Sequence, residues 1–159
     1  QAYFAAASAA AAGVIISRQI IWKKPQFIFG RGHYHWMHEL CFYGWRKGKM
    51  PPMYGERNQT TIWEIDYAGE RNKRDHPTAK PPALWHAPML NHLKVGELCA
   101  EPFSGSGAQL IAGEQLGRVV YAQELEPKYV SVALERLSLL GLEPRRVAQV
   151  KHGKQAKRA

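Results

Sequence analysis

Cysteine is scarce in this chain: Cys41 and Cys99 are the only two in 159 residues. Two thiols cannot form a disulfide framework, and their spacing fits no zinc pattern. A reducing, cytoplasmic setting is therefore the default expectation. Acid is also in short supply, with 13 Asp and Glu against 22 Lys and Arg and a formal net charge of +9. That imbalance says nothing about fold, but it suits a polyanionic partner, nucleic acid first and an anionic membrane second. Charge is missing altogether from the first seventeen residues, which raises a signal peptide or membrane segment. Neither is expected. The stretch has no basic start, is mostly alanine, is interrupted by Gly13 and ends at Arg18, whereas a spanning helix needs about 20 strongly apolar residues. An alanine-rich helix packed on a sheet fits better. The chain opens on Gln1 with no initiator Met, so the N-terminus reads as a cut edge.

What is present belongs to a globular domain: 45% of residues are hydrophobic, enough for one domain with its own core. Residues 2–12 read as a helix stopped by Gly13. Strands are expected at 17–22 ("SRQIIW"), 39–46 ("ELCFYGWR") and 60–65 ("TTIWEI"). A loop built around Pro25, Gly30 and Gly32 is expected over 23–35, and a polar loop over 66–79. From residue 81 the pattern alternates: helix 81–93, strand 97–100, helix 107–116, strand 119–123, helix 127–140. Such alternation predicts an α/β parallel sheet, here with an antiparallel aromatic hairpin at one edge. The last fifteen residues gather Arg145, Arg146, Lys151, Lys154, Lys157 and Arg158. They form a basic tail over 146–159, read either as a polyanion contact or as a solvated end.

The chemistry concentrates in "LCAEPFSGSGAQLIAGEQLGRVVYAQELEP", residues 98–127. A strand that ends in a glycine turn and opens a helix makes a cradle, because the backbone comes close and the helix N-terminus offers free N–H groups. Glu124 follows Gly105 by nineteen positions, at the end of the next apolar run, where an acid can accept hydrogen bonds from ribose hydroxyls. Here too, absences decide. No Lys-Ser/Thr follows Gly107, which argues against a P-loop for ATP, and Leu110 stands where a dinucleotide fingerprint wants its third glycine. S-adenosylmethionine remains, needing a close turn and a ribose acid but no pyrophosphate site.

On these residues the segment resembles the cofactor motif of amino-group DNA methyltransferases, the N6-adenine and N4-cytosine enzymes. Their usual form is Asp-Pro-Phe-x-Gly-Ser-Gly-Thr-Thr, then a helix, then Gly-x-Glu and a Pro-x-Tyr step. Glu101, Pro102, Phe103, Gly105, Ser106, Gly107, Glu124, Pro127 and Tyr129 stand in the matching places. Three departures are visible: Glu101 for Asp, Ala108-Gln109 for the two threonines, and Gln123 for a common Gly. Loss of the threonine hydroxyls predicts fewer hydrogen bonds near the cofactor. Upstream, "HPTAKPPALWHAPMLNHL" resembles the family's His-Pro-Thr-x-Lys-Pro segment, with His76, Pro77, Thr78, Lys80 and Pro81 in agreement. The family's segment lies beside the methionine end of the cofactor. The resemblance implies a Rossmann-like methyltransferase sheet, incomplete in this chain. It would occupy residues 1–145, with substrate-side strands and loops over 14–75 and the cofactor-binding part over 76–145.

The densest aromatic and basic run is "WKKPQFIFGRGHYHWMHELCFYGWRKGK". His33, His35, His38 and Glu39 form no tetrahedral ligand set of usual spacing, and no metal is expected. Packing of a loop is one reading. Nucleic-acid contact is the other, with Lys23, Lys24, Arg31, Arg46 and Lys47 on phosphates, Phe27, Tyr34 or Trp36 near an extruded base, and His33 among the contacting residues. The resemblance implies that this loop borders the substrate side and that the partner is double-stranded DNA, with no membrane partner. A non-catalytic nucleic-acid-binding module and an RNA or small-molecule methyltransferase stand as alternatives on the same fold.

One element of the family is lacking. Its Asp/Asn/Ser-Pro-Pro-aromatic tetrapeptide accepts the hydrogens of the target amine and stacks on the flipped base. Here Pro51-Pro52 is flanked by Met50 and Met53, and Pro81-Pro82 by Lys80 and Ala83. In the family's permuted class the tetrapeptide precedes the cofactor motif, so it would lie upstream of Gln1. No catalytic residue is assigned. The chain reads as the C-terminal part of such an enzyme, inactive by itself and completed by a missing N-terminal half.

Overall fold

The structure is a computed structural model, and it describes residues 2–66 and 80–145. A first helix, α1 (Ala2–Ala11), leads into a long strand, β1 (Val14–Ile28). β1 pairs antiparallel with β2 (Trp36–Arg46), in a register running from Val14 opposite Arg46 to Ile28 opposite Trp36. On its other side β1 takes β3 (Ile62–Glu64) in parallel, with Trp22 beside Trp63.

Two differences from the sequence reading stand out here. β1 continues through residues 23–28, where a loop was expected, and β2 starts at Trp36, before Glu39. The ladder tolerates Pro25 because the register slips between Lys23 and Ile28. A proline lacks the ladder N–H, and a bulge removes the need for it. Trp22 is fully buried at the centre of this sheet.

A second ladder holds the glycine motif. β4 (Leu98–Glu101) and β5 (Val119–Ala122) pair in parallel, joined through α3 (Ala108–Leu116). Val120, opposite Cys99 in the register, meets α3 on one face, while Leu98, Val119 and Tyr121 are exposed. Two more helices, α2 (Ala83–His92) and α4 (Pro127–Leu139), flank α3. Among the described residues the strands form these two separate ladders, ordered β2-β1-β3 and β4-β5. The alternation expected from residue 81 onward is therefore present, with its helix and strand bounds within two residues.

α2 carries the join between the two parts. His92 Nδ1 donates to Pro52 O at 2.7 Å, and its ring stacks on Tyr43 of β2 with centroids 5.2 Å apart. Tyr54 N–H donates to Asn91 O at 2.7 Å. The proline-rich turn after β2 thereby holds the C-terminal end of α2.

Gly107 is the tightest point of the cofactor half. Its φ is +77°, and a Cβ there would lie 2.7 Å from Ala133 Cβ on α4. Both the left-handed turn and the α3–α4 approach require glycine. Gly107→Ala is expected to cost about 1–3 kcal/mol. Gly30→Ala, where open space surrounds the site, should change stability by less than about 0.5 kcal/mol. Urea unfolding of the two variants measures the contrast.

Candidate functional site

The turn between β4 and α3 is held from several sides. Glu101 Oε1 accepts from Phe103 N–H at 2.8 Å as the chain leaves β4. Ser104 N–H donates to Gln123 O at 2.9 Å, and Gln123 N–H to Glu101 O at 2.8 Å. Gly105, at φ +55°, donates its N–H to Glu124 Oε2 at 2.7 Å, while Glu124 Oε1 accepts from Glu126 N–H at 2.9 Å. The acid that sequence places for a ribose thus also braces the glycine turn.

Gln109 stands where the family has its second threonine. It is 1% exposed, and its Nε2 donates to Ser104 O at 3.1 Å and Ser104 Oγ at 2.6 Å, so its amide braces the glycine loop from α3. Sequence reasoning also passed over Arg136 on α4. Its Nη1 donates to Ser106 O at 3.0 Å and Ser106 Oγ at 3.1 Å. The available signal was spacing: Ala133 and Arg136 share a helix face three residues apart, and both meet the glycine turn.

The turn opens onto a cavity of about 290 Å³, near the lower end of the ~300–1,000 Å³ usual for small-molecule sites. Phe103 to Ser106, Gln109, Glu124 and Tyr129 form one part of its wall, and Lys80 and Trp85 another. A Cβ at Gly105 would meet nothing within 4 Å, so a ligand can approach the backbone there. The Phe103 ring is exposed, as is Pro102 beside it. Among the described residues, Trp85 Nε1 is buried and meets no hydrogen-bond partner. Of the upstream motif, Lys80 reaches the cavity, while His76 and Thr78 lie outside the described residues.

Lys80 is tied to the other sheet. Glu39 on β2 accepts from Lys24 Nζ at 2.6 Å through Oε1 and from Lys80 Nζ at 2.7 Å through Oε2. Both ammonium groups also lie near the Trp22 ring, 5.6 and 5.8 Å from its centroid. Burial alone would raise the Glu39 carboxyl. The hydrogen bonds from Lys24 and Lys80, with their charges, outweigh it and hold the group below its ordinary value. Burial, and then the Glu39 charge, pushes the Cys41 thiol up, and burial with Glu101 does the same for Cys99. Neither thiol is primed as a nucleophile.

The residues expected to meet nucleic acid divide into two groups. Lys24 is buried against Glu39, and Lys23 is ion-paired with Glu64 of β3. Arg31, His33, Tyr34 and Trp36 are exposed at the hairpin tip, Tyr34 at 94%. Phe27, Phe29 and His35 cluster in the same stretch with ring centroids 4.9–5.4 Å apart. His35 Nδ1 accepts from Gly30 N–H at 3.2 Å, and Glu39 faces the lysines. Of the possible ligand set, His35 and Glu39 thus each have partners of their own. Among the described residues no helix is long and apolar enough to cross a membrane.

Residues 3–135 match the family model of N6/N4 methyltransferases, described as DNA methylase. The chain belongs to this family. It is 28% identical over 130 residues to the type II methyltransferase M2.MboI of Moraxella bovis, covering 74% of this chain and 48% of that protein. It is 30% identical over 82 residues to M.HpaI of Haemophilus parainfluenzae, covering 50% of this chain and 26% of that protein. This family member thus spans about half or less of those relatives' lengths. Its fold is similar to that of the M1.HpyAVI–SAM complex, with a TM-score of 0.69 and 24% identity over 85% of this chain and 68% of that one. The PvuII cytosine-N4-specific DNA methyltransferase also gives 0.69, at 15% identity over 84% and 56%.

The Glu39 carboxyl gives a pH prediction with a fixed sign. Its folded pKa lies below the ordinary 4.5, so its stabilisation is complete above that value and is lost as pH falls through the folded one. The stability difference between wild type and Glu39→Gln should be constant from pH 5 to 7, within about 0.5 kcal/mol, and shrink below 4.5. Urea midpoints of both proteins across pH 3–7 measure it.

Proposed function

We propose that this chain forms the S-adenosylmethionine-binding part of a DNA amino-methyltransferase acting on adenine N6 or cytosine N4. The observation that carries the reading is the cavity at the β4–α3 turn, where Glu124 is hydrogen-bonded to Gly105 and stands in the wall. The residues present fit the cofactor. Gly105 leaves open space for close approach, Glu124 brings to the wall a carboxylate, the group type that binds ribose hydroxyls, and the exposed Phe103 ring offers a stacking face for adenine. Lys80 brings an ammonium to the wall, which suits the carboxylate of the cofactor's amino-acid end.

Bound there, S-adenosylmethionine supplies an electrophilic methyl group for transfer to an exocyclic amine. This chain's residues bind and orient it. The amine is a poor nucleophile because its lone pair is delocalised into the ring, and nothing in the sequence supplies the tetrapeptide that would accept its hydrogens. On this reading another segment or chain provides that group. The hairpin tip, with Arg31, His33, Tyr34 and Trp36 exposed, faces DNA, where Arg31 meets phosphate and the rings meet bases. Lys23 and Lys24, occupied by Glu64 and Glu39, take no part in it.

Calorimetric titration tests the reading. S-adenosylmethionine and its demethylated product should bind and NAD should not, and Glu124→Ala should weaken binding at least about tenfold. Preference for NAD, or unchanged binding by the variant, contradicts it. In a tritiated-methyl assay on unmethylated DNA the chain alone should transfer no methyl group. Robust transfer would place the amine acceptor within this sequence, first in the His33–Glu39 stretch. DNA binding that ignores salt would contradict the nucleic-acid role, because phosphate contacts release counterions.

A further inference from the structure

We infer that Glu39, which lies on the hairpin sheet and does not line the cavity, is a positioning residue that holds Lys80 against the carboxylate end of the ligand. The inference rests on the cofactor reading above. Two observations point to it. Glu39 divides its two oxygens between Lys24 and Lys80, at 2.6 and 2.7 Å, so one carboxylate fixes both ammonium groups. Lys80 also lines the cavity. An ammonium has three N–H donors, so the bond to Glu39 leaves others for a ligand. An ammonium held at the cavity wall suits an anionic group, and in S-adenosylmethionine that group is the amino-acid carboxylate.

Two effects of removing the Glu39 charge oppose each other. The field at the cavity becomes more positive, which favours a carboxylate. The two ammonium groups, which had shared one carboxylate, then repel. Lys24 is the more enclosed, its side chain 11% exposed against 34% for Lys80. Lys80 is therefore the group that swings into solvent. Loss of a placed, charge-assisted donor outweighs a field that is screened at a partly exposed site.

The test is calorimetry of wild type, Glu39→Gln, Lys80→Met and the double variant. The two ligands are S-adenosylmethionine and its decarboxylated form, and circular dichroism confirms folding. Glu39→Gln should weaken S-adenosylmethionine roughly tenfold and leave the decarboxylated ligand unchanged. The double variant should be no weaker than Lys80→Met, because the two residues act as one unit. Glu39→Asp keeps the charge that buried Lys24 needs but is too short to serve both lysines. It should show the same selective loss in smaller measure, and it serves if Glu39→Gln does not fold. Equal or tighter binding of S-adenosylmethionine by the Glu39 variants, equal losses for both ligands, or additive losses in the double variant would overturn the inference while leaving the cofactor reading intact. Wild type that binds neither ligand would overturn the cofactor reading and this inference together.

Discussion

The turn from β4 into α3 is the constraint on which the rest of the cofactor half depends. It has two left-handed glycines separated by Ser106, with an unconstrained Cβ direction at Gly105 and a crowded one at Gly107. Such a turn has little intrinsic preference for one shape, since glycine loses more conformational freedom on folding than any other residue. Side chains from elsewhere fix it. Glu124 holds the Gly105 amide from the end of β5, Gln109 holds Ser104 from α3, and Arg136 holds Ser106 from α4. The open side at Gly105 is left for a ligand, and the closed side at Gly107 is given to helix packing. One short loop thereby links strand pairing, helix packing and the cavity.

Electrostatics connect this half to the hairpin sheet. A carboxylate between two lysines over a buried indole makes a charged contact close to the core. Partly buried charges are tolerable when each is paired and hydrogen-bonded. The arrangement spends two of the chain's cations on internal structure, and Lys23 is a third, paired on the other face with Glu64. The basic excess of +9 therefore overstates what the described hairpin offers to a polyanion. What remains exposed there is a tip of aromatic and histidine rings with Arg31.

The cofactor half was legible in the sequence because its elements are short, regular and punctuated. Gly117 and Gly141 close α3 and α4, Pro127 opens α4, and apolar runs fill β4 and β5. The hairpin was harder to read. Pro25 looks like a break to any local rule, yet β1 passes it, because tertiary pairing absorbs the proline in a register slip. The site divides in the same way. Phe103, Gly105, Ser106, Gly107 and Glu124 were visible as a motif. Glu39 acts across a distance in sequence that no spacing rule reaches, through its ion pair with Lys80. Lys24 shows the converse: by type and neighbours it looks like a phosphate contact, and only burial reveals that it is already paired.

Amide hydrogen exchange followed by mass spectrometry bears most directly on the claim that the glycine turn is the cofactor's seat. With saturating S-adenosylmethionine, peptides covering Phe103–Gln109 and Glu124–Tyr129 should gain protection, and peptides covering the hairpin tip at 29–36 should exchange as before. NAD at the same concentration should change neither. Protection confined to the hairpin tip, or an unchanged glycine turn when S-adenosylmethionine is bound, would contradict the claim.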